Sequence, residues 1–220
     1  MATRRLLGDL VAAFSATVPN GDVSVESVGG VEAARRVAAG EPVDGVVLAA
    51  NAVDRLIADG HVVPGSRVDL VKSPIAIAVR TGAARPPIAT EEAVRQAVLS
   101  ARNIGYSTGP SGDHLLALFE RWDIAGTVKD RLVQARPGIP VASLIADGQV
   151  DIGFQQLSEL LHAEGIAVLG LLPEAIQGTT TFSAGVARAS TQAEGVRELF
   201  AFLTSPDVAD IKREHGMEPA

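Results

Sequence analysis

The 220-residue chain contains no cysteine. Disulfides, cysteine-held zinc, iron–sulfur clusters and thiol nucleophiles are therefore excluded. Aromatic residues supply only 4% of the chain, with one tryptophan and one tyrosine, which leaves little for a platform that stacks bases or sugars. The four histidines, His61, His114, His162 and His215, never fall at paired metal-ligand spacing, so no metal is expected. No apolar run approaches the roughly 18 residues of a bilayer span, so no membrane insertion is expected. Positive charge is short as well. Nineteen Lys and Arg face 26 Asp and Glu, for a net charge of −7. That balance argues against nucleic acid as a partner and against a polybasic membrane anchor. Neither Gly-x-x-x-x-Gly-Lys-[Ser/Thr] nor Gly-x-Gly-x-x-Gly occurs, so no nucleotide cofactor, and no cofactor of any kind, is expected.

What is present suits a packed core. Hydrophobic residues make up 47% and charged residues 20%, which is globular rather than disordered. A chain of this length buries a core without metal or disulfide staples. Near the start, Arg4 and Arg5 precede Leu6, Leu7, Leu10, Val11 and Phe14 at helical spacing, with Asp9 among them. This reads as an amphipathic helix over Leu6–Phe14. It does not read as a signal peptide, which needs a longer unbroken apolar stretch, so a cytoplasmic chain stays open beside an exported one whose leader has been removed.

Strands and helices alternate along the rest. Val23–Val28 and Gly45–Ala50 read as strands, the second a continuous apolar run of the kind buried on both faces. Helices follow each, Val31–Ala39 ended by Gly40 and Ala52–Ala58 closed by Gly60. Pro74–Arg80 is another apolar strand. Thr90 caps a helix over Glu91–Ala101 with two acidic residues in its first turn. Asn103–Ser107, Val150–Phe154, Ile166–Leu171 and Thr180–Ala187 read as strands. Asp113–Trp122, Ile139–Ala146, Gln156–Leu161, Gln192–Leu203 and Pro206–His215 read as helices. The alternation implies parallel, helix-covered sheets and an α/β class. The strands near 74–80 and 180–187 are the candidate boundaries. Crossing on both would give two α/β lobes, 1–76 plus 184–220 and 77–183, around a cleft.

In open α/β sheets the chemistry sits beyond the carboxyl ends of strands, at helix N-termini. Two glycine-bearing turns fit that position. Around Gly29, Gly30 and Val31 the backbone N–H groups are open to a ligand. In Tyr106-Ser107-Thr108-Gly109-Pro110-Ser111-Gly112, hydroxyls join the free N–H groups of the next helix, an arrangement that favours anions. A third feature is Gly153-Phe154-Gln155-Gln156, where two amides stand at a strand-to-helix joint and offer both donor and acceptor. Each feature also has a plainer reading, as helix caps or as an amide pair. Gly105-Tyr106-Ser107-Thr108-Gly109 matches the nucleophile-elbow pattern, but Gly109 and Pro110 delay the helix that should start right after the serine. Trp122 falls at helical spacing with Leu115, Leu118 and Phe119 and reads as core.

Several segments in order carry a family resemblance. They are Ala39–Ala49, Ile104–Gly112, Gly153–Leu160, Phe182–Val186 and the tail Gly216–Ala220. Together they resemble the periplasmic solute-binding proteins related to the molybdate-binding protein, a family with aconitate-isomerase-like members. The resemblance implies a two-lobed, periplasmic-binding-protein-like type II fold with two crossover strands. It implies a periplasmic location, a small anionic ligand and a membrane ABC permease as partner. The ligand-binding residues it implies are Gly29, Gly30, Val31, Ser107, Ser111, Gly112, Gln155 and Gln156. Relatives of the molybdate binders carry a tyrosine after the strand near 150–154, where this chain has Phe154-Gln155-Gln156. A small organic carboxylate is thus as good an expectation as a tetrahedral oxyanion. Specificity would come from the shape of the donor array rather than from a buried arginine. The chain reads as a binder rather than an enzyme. The alternative is an isomerase that moves a double bond in an unsaturated tricarboxylate, for which His114, Tyr106 and Glu159 are the candidate acid–base groups.

Overall fold

The computed structural model describes residues 2–18, 22–136 and 138–220. In chain order the elements are α1 (Arg4–Thr17), α2 (Gly30–Ala38), β1 (Gly45–Ala49), α3 (Ala50–Ala58), β2 (Val68–Arg80), α4 (Glu91–Ser100) and β3 (Ile104–Tyr106). They continue with α5 (Pro110–Arg121), α6 (Ala125–Val128), β4 (Leu132–Gln134), α7 (Val141–Ala146), β5 (Ile152–Gln156), α8 (Leu157–Leu160) and β6 (Ile166–Leu171). Last come β7 (Thr179–Val186), α9 (Ala193–Thr204), α10 (Ala209–Glu214) and β8 (Glu218–Pro219). Two compact units result: Met1–Ser73 with Thr180–Ala220, and Pro74–Thr179. The chain passes from one unit to the other inside β2 and at the start of β7.

In the first unit, β1 runs antiparallel to β7, from Gly45 opposite Val186 to Ala49 opposite Phe182. The early part of β2 pairs with β8 through Val71–Pro219 and Lys72–Glu218. Leu6 and Leu10 of α1 and Phe200 and Leu203 of α9 pack with Leu70, Val71, Ala184 and Val186. A separate cluster of Val37, Val46, Leu48, Val53, Leu56 and Val62 seats α2 and α3 on β1. Helices α2 and α3 end where the sequence placed their stops, at Gly40 and Gly60, with φ of +77° and +80°. Glycine adopts that left-handed conformation without a Cβ penalty.

The second unit is built on the later part of β2, whose residues alternate between two cores. Ile75, Ile77 and Val79 face a cluster with Val94 and Val98 of α4 and Leu115, Leu118 and Phe119 of α5. Ala76 and Ala78 face the opposite way, toward Val141, Ala142 and Ile145 of α7 and Leu160 of α8. Side chains of a strand alternate between the faces of the sheet, so helices cover both. Strand β5 lies antiparallel to β2 and parallel to β3, which in turn lies parallel to β4. Strand β6 also pairs antiparallel with β2.

The structure corrects several expectations. The sheets are mixed rather than parallel, since only β3–β4 and β3–β5 among the described pairs are parallel. Val23–Val28 forms no strand: Val25 is 43% exposed, and no ladder partner holds the segment. Alternating valines suffice for a strand only where a neighbouring edge takes up their backbone groups. Strand β1 is buried on one face, at Val46 and Leu48, and partly covered on the other. Helix α5 starts at Pro110, three residues before the expected Asp113. Proline lacks the N–H that a first helical residue leaves unpaired, so it begins a helix rather than delaying one. Pro137, expected ahead of α7, lies outside the described residues.

Candidate functional site

In the second unit three parallel strands end side by side. Tyr106 of β3 sits opposite Gln134 of β4 on one side and Phe154 of β5 on the other. Three chain segments therefore leave this edge together: residues 107–109, residues 135–136 and the last residues of β5. Each leads into a helix, α5, α7 or α8. This is the edge of an α/β sheet where ligands are taken.

The Ser107 turn is the tightest part. Ser107 Oγ lies 2.9 Å from Ser111 Oγ, and it accepts the Gly109 N–H at 3.2 Å. Gly112 allows this closure. A Cβ on Gly112 would stand 1.9 Å from the Ser107 carbonyl oxygen and 3.2 Å from the Tyr106 ring. Pro110 has no N–H, and the Gly112 and Asp113 N–H groups both donate to the Gly109 carbonyl. Ser111 N–H is the first-turn amide of α5 without a backbone acceptor among the described residues. The expected row of free amides is thus reduced to one among the described residues, and the mutual bond of the two hydroxyls leaves one hydroxyl proton beside it. Ser111 is 1% exposed and Ser107 half-buried.

Gln155 and Gln156 are residues of β5 itself rather than of the joint after it, and both are buried. They alternate with Phe154, so Gln155 turns to the α7 face and Gln156 to the α5 face. Gln155 Oε1 accepts the Val141 N–H at 2.9 Å, which fastens the first turn of α7. The Gln155 side chain also hydrogen-bonds the Glu159 carboxyl. Burial pushes that carboxyl above the ordinary range, and the Gln155 contact pulls it part of the way back. Next to it in sequence, Ser158 Oγ is buried with no hydrogen-bond partner among the described residues. The plain reading of Gln155, an amide tying structure together, therefore holds for its carbonyl oxygen.

The three acid–base candidates stand on three different elements, α5, α8 and β3. His114 Nε2 lies 2.8 Å from the Ile176 carbonyl oxygen, on the α5 face. Its ring packs where a Cβ of Gly178 would be, at 2.6 Å. Glu159 stands on the α7 face, linked to Gln155. Tyr106 is half-buried against the α5 core. Trp122 packs on that core too, but its indole N–H donates to Glu91 at 2.6 Å, a polar anchor the spacing does not show.

Gly29, Gly30 and Val31 belong to the first unit, at the start of α2. Gly29 has φ −60° and ψ 144°, and a Cβ there would meet nothing within 4 Å. Val31 is 81% exposed. Sequence reasoning did not single out Arg136, which follows β4. Its signal was its position two residues after a short strand that the sequence reading did not find. Cavities occur elsewhere: one of about 590 Å3 lies at the opposite end of β5, against Pro86, Pro87, Asp151 and Ile152. No group of three or more His, Asp or Glu able to hold a metal occurs among the described residues. No helix among them is long and apolar enough to cross a membrane.

Comparison with known proteins completes the description. A curated protein from a Pseudomonas species, named aconitate isomerase, is 38% identical over 187 residues, which cover 84% of this chain and 70% of that protein. The substrate-binding domain of a putative molybdenum ABC transporter from Clostridium difficile superposes with a TM-score of 0.77 at 17% identity, over 100% of this chain and 95% of that one. The periplasmic molybdate-binding protein of Azotobacter vinelandii gives 0.77 at 19% identity, over 100% and 96%. These structures establish the type II periplasmic-binding fold. The family profile described as bacterial extracellular solute-binding protein matches residues 1–218. The chain therefore belongs to the bacterial extracellular solute-binding protein family.

Proposed function

We propose that the protein captures a small organic polycarboxylate as the periplasmic substrate-binding component of an ABC-type transport system. The observation that carries this reading is the Ser107–Ser111 hydroxyl pair at 2.9 Å, set beside the free Ser111 N–H at the edge where β3, β4 and β5 end. Hydroxyls and an oriented amide satisfy carboxylate oxygens without a counter-charge of their own. Gln156 of β5 is a proposed amide contact, and the backbone amides at Gly29, Gly30 and Val31 stay proposed ligand contacts. The ligand class follows the 38% identical relative, whose name specifies a tricarboxylate, rather than the molybdate binders, whose low identity speaks for fold alone.

A thermal-shift panel tests the reading. Citrate and cis- and trans-aconitate are set against molybdate, sulfate and phosphate. A ligand at 100 times its Kd stabilises by about 2.7 kcal/mol, a rise of roughly 5–10 °C for a chain of this size. Carboxylates that raise the melt while the inorganic anions do not support the proposal. A flat panel removes it.

The same relative favours a second reading, an aconitate isomerase. Such a reaction takes one proton from a carbon beside a carboxylate and returns one at the far end of the shifted double bond, with no net change in composition. Glu159, raised by burial, His114 and Tyr106 are the groups available for it. Proton NMR of cis-aconitate incubated with stoichiometric protein decides the matter. Appearance of the trans isomer supports catalysis, and its absence leaves capture alone.

A further inference from the structure

Carboxylates that arrive fully ionised carry more charge than hydroxyls and one amide neutralise. The second unit holds eight Lys and Arg residues, and most are committed or lie at the wrong end of the strands. Arg102, just before β3, holds Asp151 at 2.9 Å. Arg131, just before β4, donates to the Leu99 and Ala101 carbonyls at 2.9 and 2.6 Å. Lys129 lies before β4 as well. Arg95 and Arg121 pair with Glu92 and Glu91 of α4. Arg80 ends β2 beside the start of β5, where Val79 faces Ile152, and Arg85 follows it.

Arg136 differs on each count. It lies at the carboxyl end of β4, the same edge as Ser107. The residue before it, Ala135, is buried and donates its N–H to the Tyr106 carbonyl at 2.8 Å, which fixes the segment directly against the Ser107 turn. Arg136 itself is exposed, and its guanidinium has no ion pair or hydrogen bond among the described residues. In a chain of net charge −7, where Arg95, Arg102 and Arg121 of this unit pair with carboxylates, an unattended guanidinium at this edge is an open anion contact.

We infer that Arg136 is a specificity-determining residue, whose guanidinium takes one carboxylate of the ligand while Ser107 and Ser111 take another. This rests on the proposed polycarboxylate capture. The planar fork of the guanidinium matches a carboxylate in bidentate fashion, a selectivity that a lysine ammonium does not reproduce. A ligand with two or more carboxylates engages both contacts. An inorganic anion satisfies one at a time.

The test is titration calorimetry of wild type, Arg136→Gln and Arg136→Lys with citrate and with trans-aconitate, at low and at raised sodium chloride. Because the Arg136 guanidinium has no partner among the described residues, the ligand-free melting temperature of both variants stays at the wild-type value. Arg136→Gln weakens binding about tenfold, the loss of one charge-assisted hydrogen-bonded pair. It also flattens the salt dependence. Arg136→Lys recovers only part of the affinity. Equal affinity and equal salt dependence in wild type and Arg136→Gln overturn the assignment while leaving carboxylate capture standing. Failure of wild type itself to bind either carboxylate overturns the capture reading and this inference with it.

Discussion

Gly112→Ala is the sharpest test of how the Ser107 turn is held. A Cβ at this position would sit 1.9 Å from the Ser107 carbonyl oxygen, against the 3.4–4 Å of ordinary contact. The obstacle is backbone, so no rotamer change relieves it. The turn must open by more than an ångström, and that parts the Ser107–Ser111 pair and the Gly109 N–H contact at 3.2 Å. Overpacking of this kind costs about 1–3 kcal/mol, and each lost hydrogen bond about 1 kcal/mol, for a total of about 3–5 kcal/mol. In a chain of this size that lowers the melting temperature by about 6–20 °C. The carboxylate-induced shift should disappear along with it. Gly8→Ala is the control. It lies exposed within α1, a Cβ there meets nothing within 4 Å, and it should gain about 0.5–1 kcal/mol by helix propensity. A melting temperature for Gly112→Ala within about 2 °C of wild type, with ligand response intact, would refute the packing argument.

Three more substitutions bear on the proposed contacts. Gln155→Leu strands the buried Val141 N–H, at a cost of about 1–3 kcal/mol, read as a melt lowered by roughly 2–12 °C; an unchanged melt would show that α7 does not need this cap. Glu159→Gln keeps the contact with Gln155 and removes the charge. Because the folded carboxyl is raised, its stabilising contribution is complete below the ordinary value of about 4.3 and is lost as pH rises through the folded value. The variant should therefore match wild type in urea melts near pH 4 and exceed it near pH 7; a gap that is constant with pH would contradict this. Gly29→Ala should leave the ligand-free melt unchanged, since φ is −60° and a Cβ meets nothing, yet weaken carboxylate binding if the α2 backbone receives the ligand. Undiminished binding would remove that loop from the site.

Elements whose pattern is local were legible in the sequence. The Thr90 cap accepts the Ala93 N–H at 3.1 Å, and Gly40 and Gly60 end their helices, because each signal acts within one turn of chain. What depended on distant partners was not. Strand orientation cannot be read from alternation of elements: β2 meets both β5 and β6 antiparallel, and nothing in Pro74–Arg80 records that. The three-residue β4 is too short for a period to register, and β8 is shorter still. Val23–Val28 carries a strand pattern with no edge to join.

The site divides along the same line. The Ser107 turn announced itself through residue types whose chemistry is local: hydroxyls, two glycines and a proline. The structure then gives each a role, with Gly112 making the room that the Ser107 carbonyl fills. Gln155 was legible as a buried amide but not as a tie, because its acceptor duty is to Val141, fourteen residues earlier and on another element. Arg136 stayed hidden for the converse reason. An arginine before a Pro-Gly pair reads as an ordinary loop charge until β4 is placed beside β3. Only then does Arg136 stand at the same strand edge as the Ser107 turn. If carboxylate selectivity proves insensitive to Arg136, the donor set left to explain it is neutral, and discrimination would have to come from shape alone.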